Sequence, residues 1–165
     1  MSHIPVNHRL RPLYRGLAFL AGLYLLVFGI IGVIRTAGDP FFDRGDTVVL
    51  GLKTNMAFAV LSIVAGAIVL AATIYGRNVD HFVNMIAGGV FMFVGIFGLT
   101  IVRTDLNKLN FTVATCVVSS LVGTALLIAG LYGRIGPMEQ ARQEEAIRVP
   151  GGQHPSHNGP RPHAA

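Results

Sequence analysis

The chain has 165 residues, 52% hydrophobic and 13% charged, with 13 Lys and Arg against 8 Asp and Glu. Soluble domains carry roughly 25% charge, so too few charged side chains are present to coat a water-soluble body of this size. The length leaves room for one domain, and a single cysteine excludes a disulfide framework and paired-thiol chemistry.

Residues 1–15 read as a polar arm ending in Arg9, Arg11 and Arg15, with Pro12 suited to a first helical turn, where a missing amide donor costs little. An uncharged stretch, 16–34, follows. Signal-peptide cores usually run about 7–15 residues before a small-x-small site; this run is longer and lacks the site, so it reads as a retained anchor. Three further uncharged stretches cover 54–75, 82–102 and 110–132. As helices each of the four spans roughly 28–35 Å, enough to cross a hydrocarbon core about 30 Å thick. The loop 35–53 holds Asp39, Asp43 and Asp46 among Arg35, Arg44 and Lys53; those aspartates lack the spacing of a calcium loop. The loops 76–81 and 103–109 are short and force antiparallel neighbours. Asn55 and Asn110 are placed to cap the second and fourth helices. Residues 135–149 read as a weak charged helical extension, and 150–165 as a disordered tail rich in Pro, Gly, His and Ser.

The same two-helix unit is spelled twice. Ala21-Gly22, Gly29-Ile30 and Gly32 recur 66 positions later as Ala87-Gly88, Gly95-Ile96 and Gly98; Ser62, Gly66 and Tyr75-Gly76-Arg77 recur 57 positions later as Ser119, Gly123 and Tyr132-Gly133-Arg134. The expected fold is therefore all-α: a transmembrane four-helix bundle made of two tandem, parallel-oriented two-helix repeats, related about an axis along the membrane normal. Gly22 and Gly29, like Gly88 and Gly95, fall on one helical face. Ser62-x-x-x-Gly66 and Ser119-x-x-x-Gly123 are small-x-x-x-small patterns that let backbones approach closely. These eight residues are the expected helix-packing positions.

Counting Lys and Arg by loop gives eight on the side of both termini and five on the other, which predicts cytoplasmic termini in a cell membrane. Tyr14, Tyr75, Arg77, Tyr132 and Arg134 fall on that side and read as interfacial anchors. Gly76 and Gly133 suit left-handed helix ends.

Most membrane chemistries lack their residues. All six His are assigned to loops or tails, so no haem ligand is expected, and no carboxylate or base of a coupled carrier falls within a stretch. Cys116 reads as a packing residue. Thr112, Thr115, Ser119, Ser120 and Thr124 read as hydroxyls bonded within the bundle, Asn84 as an interfacial cap near Asp80 and His81, and the tail His154, His157 and His163 as unliganded. No catalytic, cofactor or metal residue is assigned, and no nucleic-acid partner is expected.

The succession Leu50-Gly51-Leu52-Lys53-Thr54-Asn55, Asn84-Met85, Leu106-Asn107 and Gly130-Leu131-Tyr132-Gly133-Arg134 resembles actinobacterial integral membrane proteins grouped as a domain of unknown function, over residues 8–136. The resemblance implies a small multi-pass protein and carries over no functional residue. The expected role is a non-enzymatic membrane protein acting through helix packing, either as a homo-oligomer or with a membrane-complex partner. The alternative is a small transporter or pore for an uncharged or lipid-like solute.

Overall fold

A computed structural model describes residues 10–134. The predicted extension 135–149, the tail 150–165 and most of the arm lie outside the described residues. Four helices, each long and apolar enough to cross a membrane, form the body: α1 (Arg11–Arg35), α2 (Met56–Tyr75), α3 (Val79–Ile101) and α4 (Val113–Tyr132).

Local chemistry sets the boundaries. Pro12 lies in the first turn of α1, which starts five residues ahead of the expected 16 and brings Arg11 and Arg15 inside the helix. The excess is physical: a guanidinium on a long stem tolerates the interfacial turn that a charge count assigns to a loop. Asn55 is extended and its side chain accepts from the Phe58 amide at 2.9 Å, capping α2. Gly76 closes α2 with φ 67°. Asn110 is not the cap of α4; Thr112 is, accepting from the Thr115 amide at 3.2 Å, so α4 starts three residues late. Asn110 instead donates to the Gly45 carbonyl at 2.9 Å. Gly133 differs from the left-handed expectation: its φ is −83°, and its carbonyl turns toward Arg11.

α1 lies antiparallel on α2, and α3 on α4, as two extensively joined hairpins; α1 meets α4 and α2 meets α3 over smaller contacts. Near the Arg11 end, Ala18, Val69, Leu126 and Ala129 form a buried cluster shared by α1, α2 and α4. At the opposite end Phe28 joins Val49 and Leu52 of the long loop, with Phe28, Phe58 and Phe111 in a run of edge contacts at 5.5 Å.

The loop 35–53 contains an element that polarity patterning does not reveal: a two-stranded antiparallel hairpin, β1 (Val48–Val49) and β2 (Leu52–Lys53), pairing Val48 with Lys53. Its turn residues Leu50 and Gly51 have φ of 48° and 83°, the geometry that favours Asn-Gly. Leu50 is strained there, so Leu50→Asn is expected to stabilise by about 1 kcal/mol, read as a rise in melting temperature in detergent. Lys53 pairs with Asp46 across the hairpin and holds that carboxyl below its ordinary range.

Among the described residues the second loop-end tie is a set of amides. Asn55 donates to the Asp43 and Lys108 carbonyls at 3.0 and 2.8 Å. Asn107 donates to Val102 and Phe111 carbonyls at 3.1 and 2.9 Å and accepts from the Phe111 amide. Arg44 reaches the carbonyls of Thr104 and Asn107. The long loop is thereby fastened to the loop between α3 and α4.

Candidate functional site at the Arg11 end

Each expected packing residue has a definite place. Gly22, Gly29, Ser62, Gly66, Gly88, Gly95, Ser119 and Gly123 are all buried. A Cβ at Gly66 would lie 2.6 Å from the Leu26 amide and 2.8 Å from the Gly22 carbonyl. A Cβ at Gly123 would lie 2.6 Å from the Met92 amide and 2.9 Å from the Gly88 carbonyl, the positions 66 residues further on. Backbone thus touches backbone in both hairpins. Ser62 donates to its own helix at Phe58 O (2.8 Å), as do Ser120 and Thr124 to Cys116 and Ser120 carbonyls. Ser62 and Ser119 also line a cleft of about 190 Å³ with Phe58, Ala65 and Phe91.

The expected anchors are less uniform. Tyr75 and Arg77 are exposed, but Tyr14 and Tyr132 stack on one another with ring centroids 5.0 Å apart, half-buried between α1 and α4. Arg134 is half-buried at the end of α4.

The reading of 76–81 as a polar loop does not survive. α3 begins at Val79, three residues ahead of 82, because Asn78 takes a left-handed turn (φ 65°) that redirects the chain into the helix. The Asp80 carboxylate accepts from the His81 amide at 3.0 Å, and a negative side chain is favoured at a helix start. His81 is therefore helical and buried, not in a loop, and Asn84 lies a turn deeper, 2% exposed, without capping anything.

Asp80, 1% exposed, is the centre of this end. Its Oδ2 lies 3.6 Å from Arg11 Nη2 and 3.6 Å from Arg15 Nε. Both separations exceed hydrogen-bond length, so the charges are paired without a shared proton. The guanidiniums are held by backbone: Arg11 Nε donates to Gly133 O at 3.0 Å, and Arg15 Nη2 to Thr73 O at 2.6 Å. His81 Nδ1 lies 2.6 Å from Gly130 O; a carbonyl only accepts, which assigns the proton to Nδ1. Thr73 and Gly130 are 57 positions apart, and Arg15 and His81 are 66 apart, so the two hairpins carry this bond at the same place with different donors.

Two buried oxygens there have no hydrogen-bond partner among the described residues: Asp80 Oδ2 and Asn84 Oδ1. They sit one helical turn apart on one face of α3. An unsatisfied buried acceptor costs about 1–3 kcal/mol. Asn84→Ala is therefore expected to leave stability unchanged or raised despite lost volume, measured by thermal melting; a clear loss would mean that the amide is bonded. Among the described residues no three His, Cys, Asp or Glu side chains gather as a metal site. The 66-residue offset of the recurring glycines sets Arg15 against His81 and Ala18 against Asn84, positions at which the recurrence is not kept.

No curated protein and no solved structure matches the chain. A family profile does, across residues 15–132, the whole of the four-helix body from Arg15 to the end of α4. On that match the chain belongs to the family described as domain of unknown function DUF4383.

Proposed function

We propose that this protein is a non-enzymatic, multi-pass protein of the cell membrane, built from a duplicated helical hairpin, that acts through helix packing, by self-association or as an accessory to a larger membrane complex. The observation that carries the reading is the outer face of α3. Phe82, Ile86, Val90, Phe93 and Phe97 are exposed along it, and a Cβ at Gly89 on the same helix would meet nothing within 4 Å. An open glycine within an apolar stripe admits another helix closely, and small residues drive such contacts in lipid. Both termini lie on the cytoplasmic side in this reading, in keeping with the arginine bias.

Cysteine scanning along α3 in membranes tests it. Oxidative cross-linking, expected at Gly89→Cys and Phe93→Cys but not at inward positions, supports association; reagent access to the termini from the cytoplasm alone supports the orientation. A monomer in mild detergent that purifies alone and does not cross-link in membranes overturns the reading.

The cleft lined by Ser62 and Ser119 favours a second reading, a carrier of an uncharged or lipid-like solute, because it offers two hydroxyls within apolar walls. Reproducible flux of such a solute into liposomes would establish it, and Ala65→Phe, which fills the cleft, is expected to abolish that flux.

A further inference from the structure

We propose that Arg11, Arg15, Asp80 and Asn84 form a binding site for a phosphate ester that carries a hydroxyl or ammonium group beside its phosphate. The inference does not depend on the role assigned above.

The arginines supply the first half. Both guanidiniums approach the same oxygen at 3.6 Å, so the two nitrogens are no more than about 7 Å apart, a gap that one phosphate can bridge. Each is pinned by a backbone carbonyl, Gly133 for Arg11 and Thr73 for Arg15, so little side-chain freedom remains to be lost on binding. Each uses one N–H on that carbonyl and none on Asp80, and a guanidinium has five. Donors are therefore left over, in the fork geometry that suits phosphate. Charge is also left over. Asp80 is the acidic residue at this end among the described residues, against Arg11, Arg15, Arg77 and Arg134.

The second half comes from two buried oxygens that accept no hydrogen bond among the described residues: Asp80 Oδ2, which is ion-paired with both arginines, and Asn84 Oδ1. Both are acceptors, and a bare phosphate, also an acceptor, would compete with Asp80 for the arginines and hydrogen-bond neither oxygen. A metal ion would suit the oxygens but not the adjacent guanidiniums. A ligand with an anionic group for the arginines and a hydroxyl or ammonium for the oxygens satisfies both halves. Arg15 is the open wall of the cluster, its side chain 37% exposed against 22% for Arg11, and is the side by which a ligand approaches. The same chemistry is carried by phosphatidylglycerol and phosphatidylethanolamine headgroups and by free glycerol phosphate and phosphoethanolamine.

The test uses the full chain in detergent and nanodiscs, with retained lipid counted by native mass spectrometry and free compounds followed by thermal shift. Phosphatidylglycerol or phosphatidylethanolamine is expected to be retained at least tenfold over phosphatidylcholine, which has the phosphate but no donor. Free glycerol phosphate or phosphoethanolamine displacing that lipid assigns a soluble ester; failure to displace it assigns the headgroup. Arg15→Gln should reduce retention about tenfold, whereas Arg103→Gln, at the opposite end, should not. Arg15→Lys keeps the charge and guards against misfolding; it should bind with intermediate affinity. Asp80→Asn frees both guanidiniums and removes the anionic acceptor, so it should raise binding of inorganic phosphate while lowering the preference for phosphatidylethanolamine over phosphatidylcholine, a split that a purely structural ion pair would not give. Equal retention of phosphatidylcholine, no binding of any of these compounds, or binding indifferent to both Arg15 variants overturns the proposal.

Discussion

Leucine at Gly29 or Gly95 is expected to force its hairpin apart. A single Cβ at Gly29 would stand 2.6 Å from the Ala59 carbonyl and 2.7 Å from the Ile63 amide. At Gly95 it would collide with the Ser120 hydroxyl and stand 2.8 Å from the Cys116 carbonyl. Apart from the Ser120 hydroxyl these obstacles are helix backbone, which cannot rotate away as a side-chain tip can. Relief requires the helices to separate along the whole seam, and that removes the close van der Waals fit on which helix association in lipid depends. Overpacking ordinarily costs about 1–3 kcal/mol; for leucine against backbone the upper end is expected, seen as a large drop in melting temperature in detergent. Alanine at Gly16, where a Cβ meets nothing within 4 Å, is the control and should be neutral or mildly stabilising. If Gly29→Leu and Gly16→Ala melt alike, the seam is not what holds the hairpin.

Asn55→Ala is expected to be the most damaging change at the loop end. The side chain is buried and makes three bonds: it caps α2 at the Phe58 amide and donates to the carbonyls of Asp43 and Lys108, one in each long-range loop. Truncation loses the cap, worth about 1 kcal/mol, and two bonds to part-buried carbonyls, worth about 0.5–1.5 kcal/mol each. A loss of about 3 kcal/mol follows. Asn55→Asp separates the two contributions, because the carboxylate keeps the cap and cannot donate. If Asn55→Asp is as stable as the parent, the loop carbonyls are bonded elsewhere. Hydrogen exchange in 36–55 and 102–112 should rise together in both variants, since one amide joins the two segments.

The four helices long and apolar enough to cross a membrane were legible because charge is costly in a hydrocarbon core, which favours uncharged runs of that length. A Cβ at any of the recurring glycines 22, 29, 66, 88, 95 and 123 would meet the neighbouring helix. What stayed hidden lies at the ends. A charge count assigns Arg11, Arg15, Asp80 and His81 to polar segments, since it cannot register that opposite charges from α1 and α3 meet and turn inward. Asn78 tolerates the left-handed region better than most residues, but nothing around it in sequence marks it as the start of α3. Likewise Leu50, a poor residue for positive φ, concealed the small hairpin, and Asn110 looked like a cap while its amide was committed to Gly45.

Because the closest backbone contacts join partners adjacent along the chain, α1 with α2 and α3 with α4, assembly can follow the order of synthesis. The first half can close on leaving the ribosome, before its counterpart has been translated, with no long-range search in the bilayer. The Arg15–Asp80 pair joins α1 to the first turn of α3, so it can form only once the chain has run past the first hairpin.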